Sequence, residues 1–153
     1  MFDQFVDAIF EPLFALNSEQ QLVCIPVQIV ANCCNYLEYF ISNTSAHPKQ
    51  DSKEGWAKYI NCIFGFSMIW ACGAHFKTSV NRFIDNIFRD FFSRLLIPLA
   101  DSVFEYYLDE SKLQFVHWKE AVPQFEYDNQ QPYFSLVVPT IDTQRYSGHL
   151  KML

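Results

Sequence analysis

Two side chains near the middle of the chain have a spacing at which they could share a metal ion. Cys72 and His75 stand three residues apart, so on a helix both could face the same ion. A zinc site takes three or four ligands, and the sequence offers no second pair nearby. We therefore interpret Cys72 as a buried thiol beside the end of a helix, where it packs like a small apolar side chain.

Carboxylates that could form a general acid and base occur at two places. Asp85 lies near Asp90, and Asp109 directly precedes Glu110. Acid–base catalysis needs a carboxyl group whose pKa is shifted by burial or by a neighbouring charge. Both pairs lie among polar residues, so the sequence predicts solvated carboxylates and no acid–base site.

Nucleotide-binding and nucleophile motifs depend on closely spaced glycines. In a G-x-x-x-x-G-K-[ST] loop the glycines let backbone N–H groups reach phosphate oxygens, and in G-x-S-x-G they expose a nucleophilic serine. The chain has four glycines, and they form neither pattern. We therefore expect no complete catalytic site, no ATP hydrolysis by this chain alone and no cofactor bound within it.

An arginine near the C-terminal end follows a turn that can start a helix. Thr140, directly after Pro139, can cap the helix, and Asp142 is placed favourably against the dipole at its N-terminus. On residue type alone, Arg145 is interpreted as an ordinary surface arginine. The residues predicted to face inward on this helix are Ile141, Tyr146, Leu150 and Leu153.

The elements that must position these residues are organised around one uncharged apolar run. Between Lys58 and Lys77 there is no Lys, Arg, Asp or Glu, and apolar residues occupy every side of a helix drawn through the run. Such a run is typical of a helix buried on all sides, which we favour, or of a membrane span. The alternative is a small helical membrane protein that spans through residues 58–77, with 22–41 as a second candidate span.

Two amphipathic helices are predicted before this run. The first carries an apolar stripe from Phe2 to Leu13, and Pro12 is expected to kink or end it. The second begins after Pro26. The polar composition from Ser42 to Glu54 predicts a surface loop before the central helix. The apolar face of the second helix is predicted to comprise Val27, Val30, Cys33, Cys34, Leu37, Phe40 and Ile41.

The helix predicted after the central run has the most regular pattern. Its apolar residues keep the helical period over most of the stretch from Val80 to Ile97, Thr78 or Ser79 can cap it, and Pro98 closes it. Ion pairs with the i, i+4 spacing are predicted for Asp85 with Arg89 and for Asp90 with Arg94.

Extended structure is predicted in the last third of the chain. The pattern from Ser102 to Asp109 fits either a short helix or an extended arm and does not decide between them. Farther on, prolines punctuate two aromatic-rich pieces, Phe125 to Tyr127 and Tyr133 to Val138. These pieces predict a β-arm or a small hairpin.

Length, charge and cysteine count exclude several classes of protein. The 153 residues suffice for one domain, and a formal charge of -6 without basic clusters argues against nucleic-acid binding. The five cysteines are odd in number and lie in apolar segments, which favours thiols in a reducing compartment. Asp3 and Asp7 interrupt the first apolar stretch, so it is not a secretory signal, and we expect an intracellular protein.

Two motifs carry a resemblance to a known family. Residues 137–146 have the sequence VVPTIDTQRY, which resembles the VPT-x-DT-x-RY motif at the start of the third AAA+ module of dynein heavy chains. Residues 66–74 are similar to the F-x-W-x-x-G helix of the lid that closes the second module, although Phe66 stands four residues before Trp70 rather than two. The segments 103–107 and 122–127 keep the order of that lid.

The resemblance implies a fold that is mainly α-helical. Residues 1–118 would form the helical lid and extension domain of one AAA+ module, as a lid-type bundle. Residues 119–153 would form a linker, a short β-arm and the first helix of the following module. Most of a heavy chain would lie outside this sequence, so the chain would act as a fragment, an inter-module lid and connector that is not itself a complete ATPase. At the end of this segment, the turn and helix start would border the nucleotide site of that next module through Val138, Pro139, Thr140 and Arg145.

The resemblance also implies partners and a location. ATP and Mg²⁺ would bind the intact ring and not this segment, and the neighbours would be AAA+ modules of the same heavy chain. The whole motor would work with dynein intermediate and light chains and with microtubules, and with neither nucleic acid nor membrane. It would be found in the cytoplasm and cytoskeleton, and in the cilium or axoneme.

Overall fold

A computed structural model describes residues 2–23, 25–43, 53–125, 132 and 138–153 of the chain. Within these residues there are five α-helices and a small antiparallel sheet of two strands. The predicted fold class, mainly α-helical with a short β element, is confirmed. The helices are α1 (Phe2–Phe14), α2 (Pro26–Ser42), α3 (Lys53–Gly73), α4 (Asn81–Phe91) and α5 (Ile141–Met152). The strands are β1 (Tyr106–Asp109) and β2 (Gln114–His117).

The central helix α3 is buried on every side over its second half. Every residue from Cys62 to Gly73 is buried, as expected for a helix that is apolar all round. The predicted buried central helix is therefore confirmed. Among the described residues, no helix is both long and apolar enough to cross a membrane.

Glycine lets a neighbouring ring lie against the end of α3. A β-carbon at Gly73 would lie 2.5 Å from Cζ of Phe104, so a larger residue would push that ring away. Phe104 also packs edge-on against Trp70, with 5.5 Å between the ring centroids. The segment before β1 is in this way packed closely against the central helix.

The buried face of α2 agrees with the predicted one only in part. Cys33 and Phe40 are buried and Leu37 packs against the core, as predicted. Val27, Val30, Cys34 and Ile41 are exposed, and the residues that face the core are Ile29, Cys33, Tyr36 and Phe40. Helix α2 carries two apolar stripes, and the one with the large aromatic rings packs on α3. Tyr36 and Phe40 both make edge-on contacts with Phe66.

The helix predicted from Val80 to Ile97 is shorter in the structure. Thr78–Val80 form a 3₁₀ turn without a side-chain cap, α4 ends at Phe91, and Leu96 then adopts a left-handed conformation with φ of 52°. The chain therefore leaves the helix before it reaches Pro98. Likewise α1 is not ended by Pro12, which lies inside the helix that continues to Phe14.

Asp85 is not the solvated carboxylate that the sequence predicts. Its Oδ2 accepts from Arg89 Nε at 2.7 Å, which confirms that ion pair, and its Oδ1 accepts from Ser102 Oγ at 3.0 Å and Val103 N at 2.5 Å. Arg89 also donates to the carbonyl oxygens of Ile97, Pro98 and Asp101. We call this set the Asp85–Arg89 network. It ties the segment between α4 and β1 to α4.

The undecided segment from Ser102 to Asp109 contains both kinds of structure. A 3₁₀ turn, Val103–Glu105, leads directly into β1, which pairs with β2 from Tyr106 opposite His117 to Asp109 opposite Gln114. The hairpin therefore lies earlier than the predicted β-arm. Of that predicted arm, residues 126–131 and 133–137 lie outside the described residues.

Helix α4 should contribute to stability through one face only. Phe88 is fully buried whereas Asn86, on the same helix, is exposed. We expect Phe88→Ala to lower the free energy of unfolding by about 3 to 5 kcal/mol, because it removes a buried ring and leaves a cavity. Asn86→Ala, the matched control, should change it by less than about 0.5 kcal/mol. Urea denaturation measures both, and similar small losses from the two variants would show that the buried face is wrongly assigned.

Candidate functional site

Thr140 starts α5 in the way that the sequence predicts. Its Oγ1 accepts from the Thr143 amide at 3.1 Å, while the Thr143 hydroxyl accepts from the Thr140 amide at 2.7 Å. This reciprocal capping box satisfies amides that a helix N-terminus leaves without partners. Thr140 is therefore fixed to the first turn of the helix.

Arg145, one turn farther on, is not an ordinary surface arginine. Its side chain is 16% exposed and its guanidinium forms an ion pair with Glu105, whose side chain is 31% exposed. A second, longer contact of 3.5 Å joins Arg145 to the exposed Asp142. The pair with Glu105 connects α5 to the 3₁₀ turn before β1, which lies 40 positions away in the sequence.

His149 lies in the centre of a group of rings that we call the His149 cluster: Tyr36, Phe66, Trp70, Trp118 and His149. The centroid of its ring lies 3.8 Å from that of Trp70 and between 5.6 and 6.0 Å from the other three. Its Nδ1 shares a hydrogen bond of 3.2 Å with the Tyr36 hydroxyl. The cluster joins α2, α3, the turn after β2 and α5.

Gly148 lets the Trp118 ring lie directly on α5. A β-carbon at position 148 would stand 2.8 Å from Cη2 of Trp118, closer than such atoms approach in real structures. Trp118 begins the 3₁₀ turn Trp118–Ala121, which His117 caps by accepting from the Lys119 amide at 2.9 Å. Sequence reasoning missed Gly148 and His149 as contacts. The glycine was the available signal, because its small size permits this close approach.

Burial keeps His149 neutral. The environment lowers its pKa from 6.5 to about 4, chiefly because burial penalises the charged ring and secondly because Arg145 repels it. Within the described residues, Nε2 has no hydrogen-bond partner, so the Nε2 proton of a charged ring would be buried without an acceptor. Burial also raises the pKa of Tyr36 to about 12, so its hydroxyl stays protonated.

The inward face predicted for α5 is wrong for three of its four residues. Tyr146, Leu150 and Leu153 are 64%, 77% and 60% exposed, and Ile141 is partly buried. We call the three exposed side chains the outer face of α5. The helix packs through Gly148 and His149 because their small or flat side chains fit against the rings of the cluster.

The four residues predicted to border a nucleotide all lie at the start of α5. Val138 is exposed, Pro139 is partly buried, Thr140 is the cap and Arg145 points to Glu105. Their position beside a nucleotide stays a prediction.

The carboxylate candidate Asp109 and the thiol candidate Cys72 both have structural roles. Asp109 accepts from the Ser111 hydroxyl and from the Ser111 and Lys112 amides in the hairpin turn, and the hydrogen bond from Ser111 is the main cause that lowers its pKa. Cys72 and His75 are both buried. No group of three or more His, Cys, Asp and Glu suited to a metal occurs in the described ranges. The structure therefore agrees with a buried thiol at Cys72.

Comparison with known proteins assigns the chain to a family. The family model described as dynein heavy chain AAA lid domain matches residues 1–120. Dynein axonemal heavy chain 2 of Mus musculus is 27% identical over 150 residues, which cover 96% of this chain. Dynein axonemal heavy chain 9 of Homo sapiens is 28% identical and the ciliary dynein beta chain of Heliocidaris crassispina 27% identical, each over the whole chain. The chain spans about 3% of the length of each of these relatives.

Acidification should weaken the packing of α5. Between pH 6.5 and about 4 the unfolded chain protonates His149 while the folded chain does not, so this group makes stability fall as the pH falls through that window. The decrease in the free energy of unfolding should approach about 3 kcal/mol at the lower end of this pH range. Urea denaturation at several pH values measures it.

The variant His149→Gln should lose this part of the pH dependence, and the control His117→Gln, outside the cluster, should keep it. His75, whose pKa burial also lowers, contributes in the same direction in every variant. An unchanged slope in His149→Gln would mean that His149 is not buried as described.

Proposed function

Because the chain belongs to the dynein heavy chain AAA lid family, we propose that it serves as the inter-module lid and connector of a dynein heavy chain. Residues 1–118 form the helical lid and extension of one AAA+ module in this proposal. Residues 119–153 form the linker, the arm and the first helix of the module that follows. The chain carries no complete ATPase site of its own in this role.

The observation that carries the connector role is that α5 is packed on one side and exposes apolar side chains on the other. One side of the helix is held against the lid by Gly148, His149 and Arg145. On the outer face, Tyr146, Leu150 and Leu153 remain exposed. Exposed apolar stripes of this kind are typical of surfaces that another part of a protein covers. In a connector, the second side of α5 packs against the body of the following module.

The turn before α5 then borders the nucleotide site of that module. Val138 and Pro139 would contact the nucleotide, while Thr140 and Arg145 would fix the position of the turn. Support for this placement comes from the capping box, which joins Thr140 to the helix, and from the Glu105 ion pair, which joins the helix to the segment before β1. ATP and Mg²⁺ are bound in the intact ring and not by this segment alone.

The names of the relatives support a wider role for the heavy chain of which this is a segment. They describe axonemal, ciliary and flagellar outer arm dynein chains. We infer that the heavy chain uses ATP hydrolysis to move along microtubules, together with intermediate and light chains. It would work in the cytoskeleton of the cilium or axoneme.

The connector role predicts that a substitution on the outer face has a different effect in a longer protein. In the chain of 153 residues, Leu150→Ser should lower the free energy of unfolding by only about 0.5 kcal/mol, through its lower helix propensity, since the side chain is already exposed. In a longer heavy chain that includes the following module it should cost at least about 2 kcal/mol, because the side chain is then buried. Chemical denaturation of both proteins measures this difference.

Lys151→Ser on the same helix is the matched control and should cost about 0.5 kcal/mol in both proteins. If Leu150→Ser costs the same small amount in the long and the short protein, the outer face is not covered and the connector role is wrong.

A further inference from the structure

We propose that Glu105 is a positioning residue: it holds Arg145 and thereby fixes the first half of α5, with the Val138–Thr140 turn before it, to the lid. The nucleotide part of this inference rests on the proposed function. The attachment itself rests on contacts within the described residues and can be tested separately.

Glu105 and Arg145 form the most enclosed ion pair between separate elements of the described structure. The guanidinium Nη2 donates to Oε2 of Glu105, and the arginine side chain is 16% exposed. The competing partner, Asp142, is 69% exposed and 3.5 Å away. An exposed pair of this kind contributes little, so Glu105 is the residue that orients the arginine.

Glu105 can orient Arg145 because its own position is fixed. It ends the 3₁₀ turn Val103–Glu105, and both Ser102 Oγ and Val103 N donate to Asp85 on α4. Arg89 holds the preceding loop through three backbone carbonyls. The Asp85–Arg89 network therefore holds this turn against α4.

Arg145 is joined in turn to Thr140, the last residue of the Val138–Thr140 turn. The Gln144 amide donates to the Thr140 carbonyl at 3.0 Å, and the capping box joins Thr140 to Thr143. A displacement of Glu105 would therefore move Thr140 and the first turn of α5 together.

The second half of α5 has a separate attachment. Gly148 and His149 pack into the His149 cluster, whose rings come from α2, α3 and the turn after β2. Neither Glu105 nor Arg145 belongs to this cluster. Loss of the ion pair should therefore free the beginning of the helix and leave its end in place.

When the lid rotates relative to its neighbours, this linkage would carry the rotation of α4 to the nucleotide-bordering turn. A movement of the lid would in this way shift the residues that border the nucleotide site of the following module. The path runs through four side chains in order: Arg89, Asp85, Glu105 and Arg145. Its middle step, between Asp85 and Glu105, is the backbone of residues 102–105.

Amide hydrogen exchange of the 153-residue chain tests the attachment. In Glu105→Gln, we expect the amides of Thr143, Gln144 and Arg145 to exchange at least about tenfold faster, while those of Leu150 and Lys151 change less than about threefold. The control Glu120→Gln removes the same charge from an exposed position near Trp118 and should alter neither group.

Two further variants keep the test decisive. Arg145→Lys preserves the charge but loses the planar guanidinium, and it should give the same pattern as Glu105→Gln. The exchanged pair, Glu105→Arg with Arg145→Glu, should bring the exchange of the first turn at least partly back. Equal acceleration at both ends of α5, no acceleration, or no recovery in the exchanged pair would each overturn the inference.

Nucleotide affinity in a longer heavy chain that contains the following module tests the second part. A fluorescent ATP analogue should bind that site at least about threefold more weakly in Thr140→Ala and in Glu105→Gln, and unchanged in Glu120→Gln. A loss in Thr140→Ala without one in Glu105→Gln overturns this inference and leaves the proposed function standing. No loss in Thr140→Ala overturns the nucleotide-bordering role itself.

Discussion

The packing of His149 between Trp70 and Trp118 is the contact on which the arrangement of this chain depends. Trp70 belongs to the buried half of α3, Tyr36 to α2, and Trp118 to the turn after β2, so one small ring joins elements from four parts of the sequence. Gly148 makes the contact possible by leaving space for Trp118. Because large flat side chains interdigitate closely, the site has little room for a substitute. Helix α5 therefore packs on the rest of the chain, although its sequence resembles the start of another module.

A second attachment, of a different physical kind, holds the other end of α5. There the contact is an ion pair, Glu105 with Arg145, and it is supported by the polar Asp85–Arg89 network. An apolar contact at one end and a charged one at the other respond to different conditions: the first to the protonation of His149, the second to salt and to charge substitutions. Helix α5 is thus held by one apolar and one charged attachment, while its apolar outer face stays exposed.

The sequence was sufficient to predict the parts of the fold that depend on local chemistry. Thr140 caps α5, and the second half of α3 is buried because no charged residue interrupts it after Lys58. The sequence was insufficient for assigning helix faces. Helices α2 and α5 each carry two candidate apolar stripes, and periodicity cannot show which stripe packs on the core and which stays exposed. Asp85 was misjudged because its partners Ser102 and Val103 lie 17 and 18 positions away. Contacts of that range leave no pattern in the surrounding residues.

The most direct test of this account is nuclear magnetic resonance of the 153-residue chain, with assignment of the side chains in the His149 cluster. The account predicts cross-peaks between the imidazole protons of His149 and the indole protons of both Trp70 and Trp118, with the imidazole signals shifted by the ring currents of the indoles. Imidazole signals at the positions of an unfolded peptide, without cross-peaks to either indole, would contradict the central claim that α5 is docked on the lid.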